Sequence, residues 1–108
     1  MEDAVGPVLR MCEEIEPVIR AIIEDNPGQE VEVIDHGAYV RVRARGTLRV
    51  TRASIQRQLG DGFEMRKLGA MLSAFAGRIA TTSDEITWTL TPVTGSAGAR
   101  APAEEDVP

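Results

Sequence analysis

The chain has 108 residues, 43% of them hydrophobic and 27% charged, with one cysteine and a formal charge of −5. That length supports one domain with a single modest core. No apolar run approaches the ~20 residues that span a bilayer, and the lone Cys12 excludes an internal disulfide and any site built on paired thiolates.

The charge is unevenly placed. Residues 1–35 hold ten acids and two arginines, whereas residues 36–57 hold six arginines and no acid. A basic stripe therefore lies on an acidic body with an isoelectric point near 4.8. Nucleic-acid domains are usually basic over a whole face or domain. The opening "MEDAVGPVLR" has neither the basic nor the apolar stretch of a secretory leader, so a cytoplasmic setting is expected.

In chain order, "VGPVLR" (5–10) reads as a short edge strand, because its proline cannot donate to a ladder. "EEIEPVIRAIIEDNPG" follows as a helix, with Ile15, Val18, Ile19, Ile22 and Ile23 on one continuous face. Glu13, Glu14 and Glu16 favour its positive end, and Asn26-Pro27-Gly28 stops it. "EVEVID" (30–35) alternates Val31 and Val33 against Glu30 and Glu32, the pattern of a half-buried strand. After a turn at Gly37, "AYVRVRARG" sends Val40, Val42 and Ala44 one way and Tyr39, Arg41, Arg43 and Arg45 the other. Gly46 breaks the run, and Leu48 and Val50 continue the apolar face in a third strand.

Thr51 fits the N-cap of a helix over "RASIQRQL", ended by Gly60. "FEMRKLGAML" (63–72) predicts another short helix presenting Phe63, Met65, Leu68 and Leu72. "SAFAG" (73–77) is a small-residue connection around one phenylalanine. "RIATT" and "ITWTL" pair as a hairpin around residues 83–85, with Ile79, Ile86, Trp88 and Leu90 as core or half-core residues. From Pro92 onward the sequence has almost nothing to bury and reads as a disordered acidic tail. The order β-α-β-β-β-α-α-β-β predicts a compact α+β domain over residues 1–91, mostly antiparallel sheet with covering helices.

Residues suited to catalysis are sparse. His36 precedes a glycine at a turn and has no evident partner. Cys12 stands beside Glu13 and Glu14, which disfavour a thiolate. The His and Cys combinations usual for zinc or iron are absent, as are phosphate-loop and nucleophile-elbow patterns. The arginine strand admits three readings. Glu30 and Glu32 on the preceding strand could neutralise it as a solvated sheet face. It could dock a protein. With Tyr39 as a stacking surface it could hold phosphates, though one aromatic among arginines is a thin platform.

The stretches "VGPVLR", "IEPVIRAIIEDNPG", "DHGAYVRVRARGTLRVTRASIQRQLGDGFEM" and "LSAFAGRIATTSDEI" together resemble the effector (coupling, or regulatory) proteins of bacterial multicomponent monooxygenases. That family includes the toluene, phenol, alkene and methane systems. The resemblance runs in order from about Val5 to Leu90 and is nearest to the toluene/alkene branch; the long N-terminal extension of the methane branch has no counterpart here. It implies a non-catalytic protein without metal or organic cofactor. Such a protein binds the large diiron hydroxylase near its active site, alters that site's geometry, and couples electron delivery and O₂ activation to substrate oxidation. The electron-transfer components belong to the same system, and the free protein is expected to be a monomer that binds neither nucleic acid nor membrane.

The resemblance also implies a docking segment. "MLSAFAG" is similar to the stretch that lies against the hydroxylase, which makes Ser73, Ala74 and Phe75 candidate contacts. For Phe75 a core position, and for Ser73 a helix cap, are the competing readings. Met65, Arg66 and Met71 flank the segment, and methionine suits adaptable interfaces and core packing equally. Arg41, Arg43 and Arg45 are candidates for a second, polar contact. Asn26 and Gly28 read as structural. A free-standing small-molecule-sensing domain is the alternative function, although no glycine-rich ligand loop is evident.

Overall fold

The computed structural model describes residues 2–90. The expected tail from Pro92 and the domain boundary at residue 91 lie outside the described residues. The elements are β1 (Ala4–Arg10), α1 (Ile15–Asp25), β2 (Glu32–Asp35), β3 (Tyr39–Arg45), β4 (Thr47–Thr51), α2 (Arg52–Leu59), α3 (Met65–Met71), β5 (Leu72–Ala76), β6 (Arg78–Thr81) and β7 (Glu85–Thr89). They form two antiparallel sheets, one in the order β2-β3-β1-β5 and one in the order β4-β7-β6. The α+β class with mostly antiparallel sheet is as the sequence predicts.

Two single glycines carry the chain from one sheet to the other: Gly46 between β3 and β4, and Gly77 between β5 and β6. Gly77 has φ 95°, and a Cβ there would stand 2.7 Å from both the Thr89 carbonyl oxygen and Val5 Cγ1. Only glycine allows that close crossing. The core lies between the sheets and under α1. It joins Val5, Leu9, Val40, Val42 and Ala44 of the first sheet to Leu48, Val50, Ile86 and Trp88 of the second, with Val18, Ala21, Ile22 and Ile55 from the helices.

A polar latch fixes α1 against β4 and α2. Asn26, just past α1, is 8% exposed. Its Nδ2 donates to the Ile22 carbonyl at 2.6 Å and the Arg49 carbonyl at 2.7 Å, and its Oδ1 accepts from Arg49 N–H at 3.1 Å. Asp25 accepts from the Thr51 N–H at 2.7 Å and the Ser54 hydroxyl at 2.6 Å. Thr51 caps α2 by accepting from Ser54 N–H at 3.1 Å. A helix end that would otherwise leave polar groups unpaired is thereby satisfied.

Five expectations need correction. Leu90, expected in the core or at its margin, is 41% exposed just past the end of β7. β1 is an interior strand, not an edge: β3 lies on one side and β5 on the other. The missing N–H of Pro7 coincides with a gap in the β1–β3 pairing between Val5 and Val8, while Pro7 still stands opposite Phe75 in β5. "SAFAG" is largely strand rather than connection, because β5 pairs with β1. Ile23 is 48% exposed, whereas Ala21 is fully buried, so the apolar stripe of α1 is narrower and rotated. Val33 stands opposite Val42 on the core side but is 41% exposed, because β2 is an edge strand that overhangs the core.

Candidate functional site

The strand registers define the outward face of the four-stranded sheet. One transverse row runs Ala74–Val8–Arg41–Ile34, and Glu32 stands opposite Arg43 in the next row. Tyr39 pairs with Arg10 at one end of the face, and Arg45 with Ala4 at the other. The alternation of β3 is therefore realised: Val40, Val42 and Ala44 are buried, while Arg41 and Arg43 are half-buried and Tyr39 and Arg45 exposed.

Between the arginines and β5 lies a shallow groove of about 340 Å³, bordered by Val8, Arg41, Arg43, Ala74, Phe75 and Ala76. Phe75 is 46% exposed, a large apolar side chain on an edge strand. Ser73 is exposed within β5, not a helix cap. Arg41 and Ala74, 33 residues apart in sequence, thus meet on one surface, whereas Phe75 stands opposite buried Pro7, in the alternate phase of β5, and borders the groove from the sheet's edge.

The charges on this face are unequally compensated. Arg43 Nε is bonded to the Glu32 carboxylate, as cross-strand pairing predicts; Glu30 makes no ion pair among the described residues. Arg20, Arg49, Arg52, Arg57 and Arg66 each have a carboxylate partner elsewhere on the molecule. Among the described residues Arg10, Arg41 and Arg45 form no ion pair; Arg10 Nη1 donates to the Ala70 carbonyl at 3.0 Å, tying β1 to the last turn of α3. This leaves guanidinium groups beside an apolar strip.

Other candidates fall away from the groove. Met65 is 5% exposed and belongs to the core. The amphipathic spacing of α3 turns it inward with Leu68. Arg66 is exposed and paired with Glu64 at 2.6 Å. Met71 is half-buried beside a different concavity with Phe63 and Leu59. Sequence reading passed over Val8, Arg10 and Ala76. The period-two pattern Ala4, Gly6, Val8, Arg10 was the available signal, but only the β1 pairings reveal which face it shares.

Several alternatives lose support. Tyr39, the one aromatic proposed to stack on bases, stacks on His36 with ring centroids 4.9 Å apart. His36 is an exposed turn residue in an Asx turn, in which the Asp35 carboxylate accepts from Gly37 N–H at 2.7 Å. Burial, reinforced by Glu14 and Glu13, pushes the Cys12 thiol up from its ordinary value, which keeps it protonated at neutral pH. Among the described residues no group of three or more His, Cys, Asp or Glu is arranged to hold a metal ion, and no helix is long and apolar enough to cross a membrane.

The profile of MmoB/DmpM proteins matches residues 3–89. The chain belongs to the MmoB/DmpM family. One relative, the effector subunit of the alkene monooxygenase system of Xanthobacter autotrophicus strain Py2, is 44% identical over 87 residues, spanning 81% of this chain and 86% of the relative. The fold matches a chain of a phenol hydroxylase–regulatory protein complex with a TM-score of 0.72 at 20% identity, covering 82% of this chain and 99% of that one. It also matches regulatory protein B of soluble methane monooxygenase with a TM-score of 0.61 at 27% identity, covering 87% of this chain and 70% of that protein. The MmoB/DmpM match spans every element from β1 to β7.

Proposed function

We propose that this protein is the cofactor-free effector subunit of a cytoplasmic, multicomponent diiron monooxygenase acting on hydrocarbons of the alkene or toluene type. The similarity to the alkene monooxygenase effector subunit, over most of both chains, carries this reading. The protein binds the hydroxylase and tunes its active site for coupled oxidation. The diiron centre and the substrate pocket belong to the hydroxylase, so this chain acts through binding energy alone. It shifts the hydroxylase between arrangements only by its differential affinity for them, about 1.4 kcal/mol for each tenfold change in population.

The surface that supports such binding is the outward face of the four-stranded sheet, with Arg41, Arg45 and Ala74, continued around the β5 edge to Ser73 and Phe75. A rigid sheet holds these groups without loss of loop entropy on docking. The exposed aromatic at the sheet's edge supplies apolar contact, and arginines with no ion pair among the described residues supply steering and register.

The test is product formed per NADH consumed by the diiron hydroxylase encoded beside this chain, together with its electron-transfer partners, as the protein is titrated in. A rise in rate and coupling that saturates near one protein per active site is expected. A flat titration with no detectable binding would overturn the reading and favour a small-molecule sensor.

A further inference from the structure

The two sheets have four outer strands, β2, β5, β4 and β6, and three of them are guarded against pairing with another chain. The outer edge of β4 is closed by side chains. Gln29 Nε2 donates to the Thr47 carbonyl, Asn26 bonds both the N–H and the carbonyl of Arg49, and Asp25 accepts from the Thr51 N–H. Alternate residues of an edge strand turn their backbone groups outward, so this edge is occupied along its length. β2 carries Glu32 and Asp35, and β6 carries Arg78, charges that oppose pairing with a like strand. β5, Leu72-Ser73-Ala74-Phe75-Ala76, has neither charge nor proline. Its residues 73–76 are exposed, and among the described residues none of their backbone groups bonds outside the β1 ladder.

We propose that the free edge of β5 takes a second copy of this chain, β5 against β5 in antiparallel pairing about a twofold axis at Ala74. The self-pairing is independent of the effector reading; only its exclusion of the hydroxylase from Ser73, Ala74 and Phe75 rests on that reading.

Symmetry and charge select this occupant. A twofold contact needs a patch that matches itself. Centred on Ala74, the axis sets Ala74 against its own counterpart, Ser73 against the second copy's Phe75, and Leu72 against the second copy's Ala76. Each larger side chain thus meets a small one, and the two four-stranded sheets become continuous. No like charges meet at the contact. With β1 and β5 of both copies between them, the two copies of Arg41 stand roughly 24 Å apart, well beyond the ~8 Å screening length at physiological salt. A foreign extended segment could satisfy the same backbone groups, but only a second copy brings the small-against-large row by symmetry. Five residues a side fall well short of the ~20 a side of a standard interface, so the pair is weak and forms at high protein concentration.

The test follows the full chain alone by sedimentation equilibrium and proton–nitrogen spectra from about 10 μM to about 1 mM. The average mass should rise toward that of two chains, with shifts confined to the amides of β5 and the adjoining β1. Because each chain carries a formal charge of −5, the rise should be larger at ~500 mM than at ~20 mM salt. Full-length Ala74→Lys and Ala74→Glu should each weaken association roughly fivefold, since like charges then stand directly opposed, and an equal mixture of the two should recover it. Unchanged amide positions outside β5 and β1 establish that both variants fold. Mass and spectra that do not depend on concentration would overturn the proposal, as would association that both variants retain or that their mixture fails to recover. Shifts at β5 that appear only when the hydroxylase is added would also overturn it and give the edge to the hydroxylase. A flat hydroxylase titration, by contrast, ends the effector reading while the mass and spectra still decide the self-pairing.

Discussion

The two sides of this small domain treat their polar groups differently. On the side formed by α1, β4 and α2, Asp25 and Asn26 pair with Thr51, Ser54, Arg49 and Ile22, and Arg49, Arg52 and Arg57 each hold a carboxylate. On the outward face of the four-stranded sheet, Arg41 and Arg45 form no ion pair among the described residues, and at that sheet's β5 edge Phe75, opposite Pro7, stands 46% exposed. Satisfied groups hold a scaffold together, whereas unsatisfied ones are available to a partner. In a protein with no catalytic constellation among its described residues, that contrast separates residues that keep the fold from residues that do the docking.

Substitutions that follow this division should affect one property and spare the other. The largest effect is expected from Asn26→Ala, which strands the Arg49 N–H and two carbonyls. It should cost about 2–3 kcal/mol of stability, lowering Tm by ~10–20 °C in thermal unfolding. The folded fraction should still couple the hydroxylase normally. Arg41→Glu combined with Arg45→Glu should leave stability within about 0.5 kcal/mol, since neither arginine has an ion-pair partner to lose among the described residues. The same double variant should weaken hydroxylase binding roughly 30-fold, about 2 kcal/mol, with most of the loss in association rate at low salt. Phe75→Ala removes a half-exposed ring and should cost under about 1 kcal/mol in folding but five- to tenfold in docking. Arg49→Gln removes an exposed pair with Glu85 on the scaffold side and should move neither quantity by more than about 0.5 kcal/mol. Equal docking losses from Arg49→Gln and the Arg41/Arg45 pair would erase the contrast and point to general charge steering.

Much of this was legible in the sequence because the signals were local. The alternation of Val40, Val42 and Ala44 against Arg41 and Arg43 sets the phase of β3, and Thr51 and Gly60 mark both ends of α2. Ile86 and Trp88 announce β7 in the same way. What failed was non-local. Ser73-Ala74-Phe75-Ala76 has no hydrophobic alternation, since both faces of β5 are exposed, and only pairing with β1 makes it a strand. Pro7 argued for an edge, yet β1 pairs with both β3 and β5, with only a gap in the β3 pairing between Val5 and Val8. Met65 and Phe75 were interchangeable on composition, and packing sent one to the core and the other to the surface. The docking candidates of β3 and β5 could be named separately, but their meeting at one groove depends on β1 lying between them.

The most direct test of the docking face is hydrogen exchange of this protein, free and bound to its hydroxylase, followed peptide by peptide. Slowed exchange confined to residues 72–77 and to the β2–β3 hairpin, with α1 and α2 unchanged, is the predicted result. Protection of α1 and α2 with none at β5 would contradict it, and would move the interface to the side that the internal polar network already satisfies.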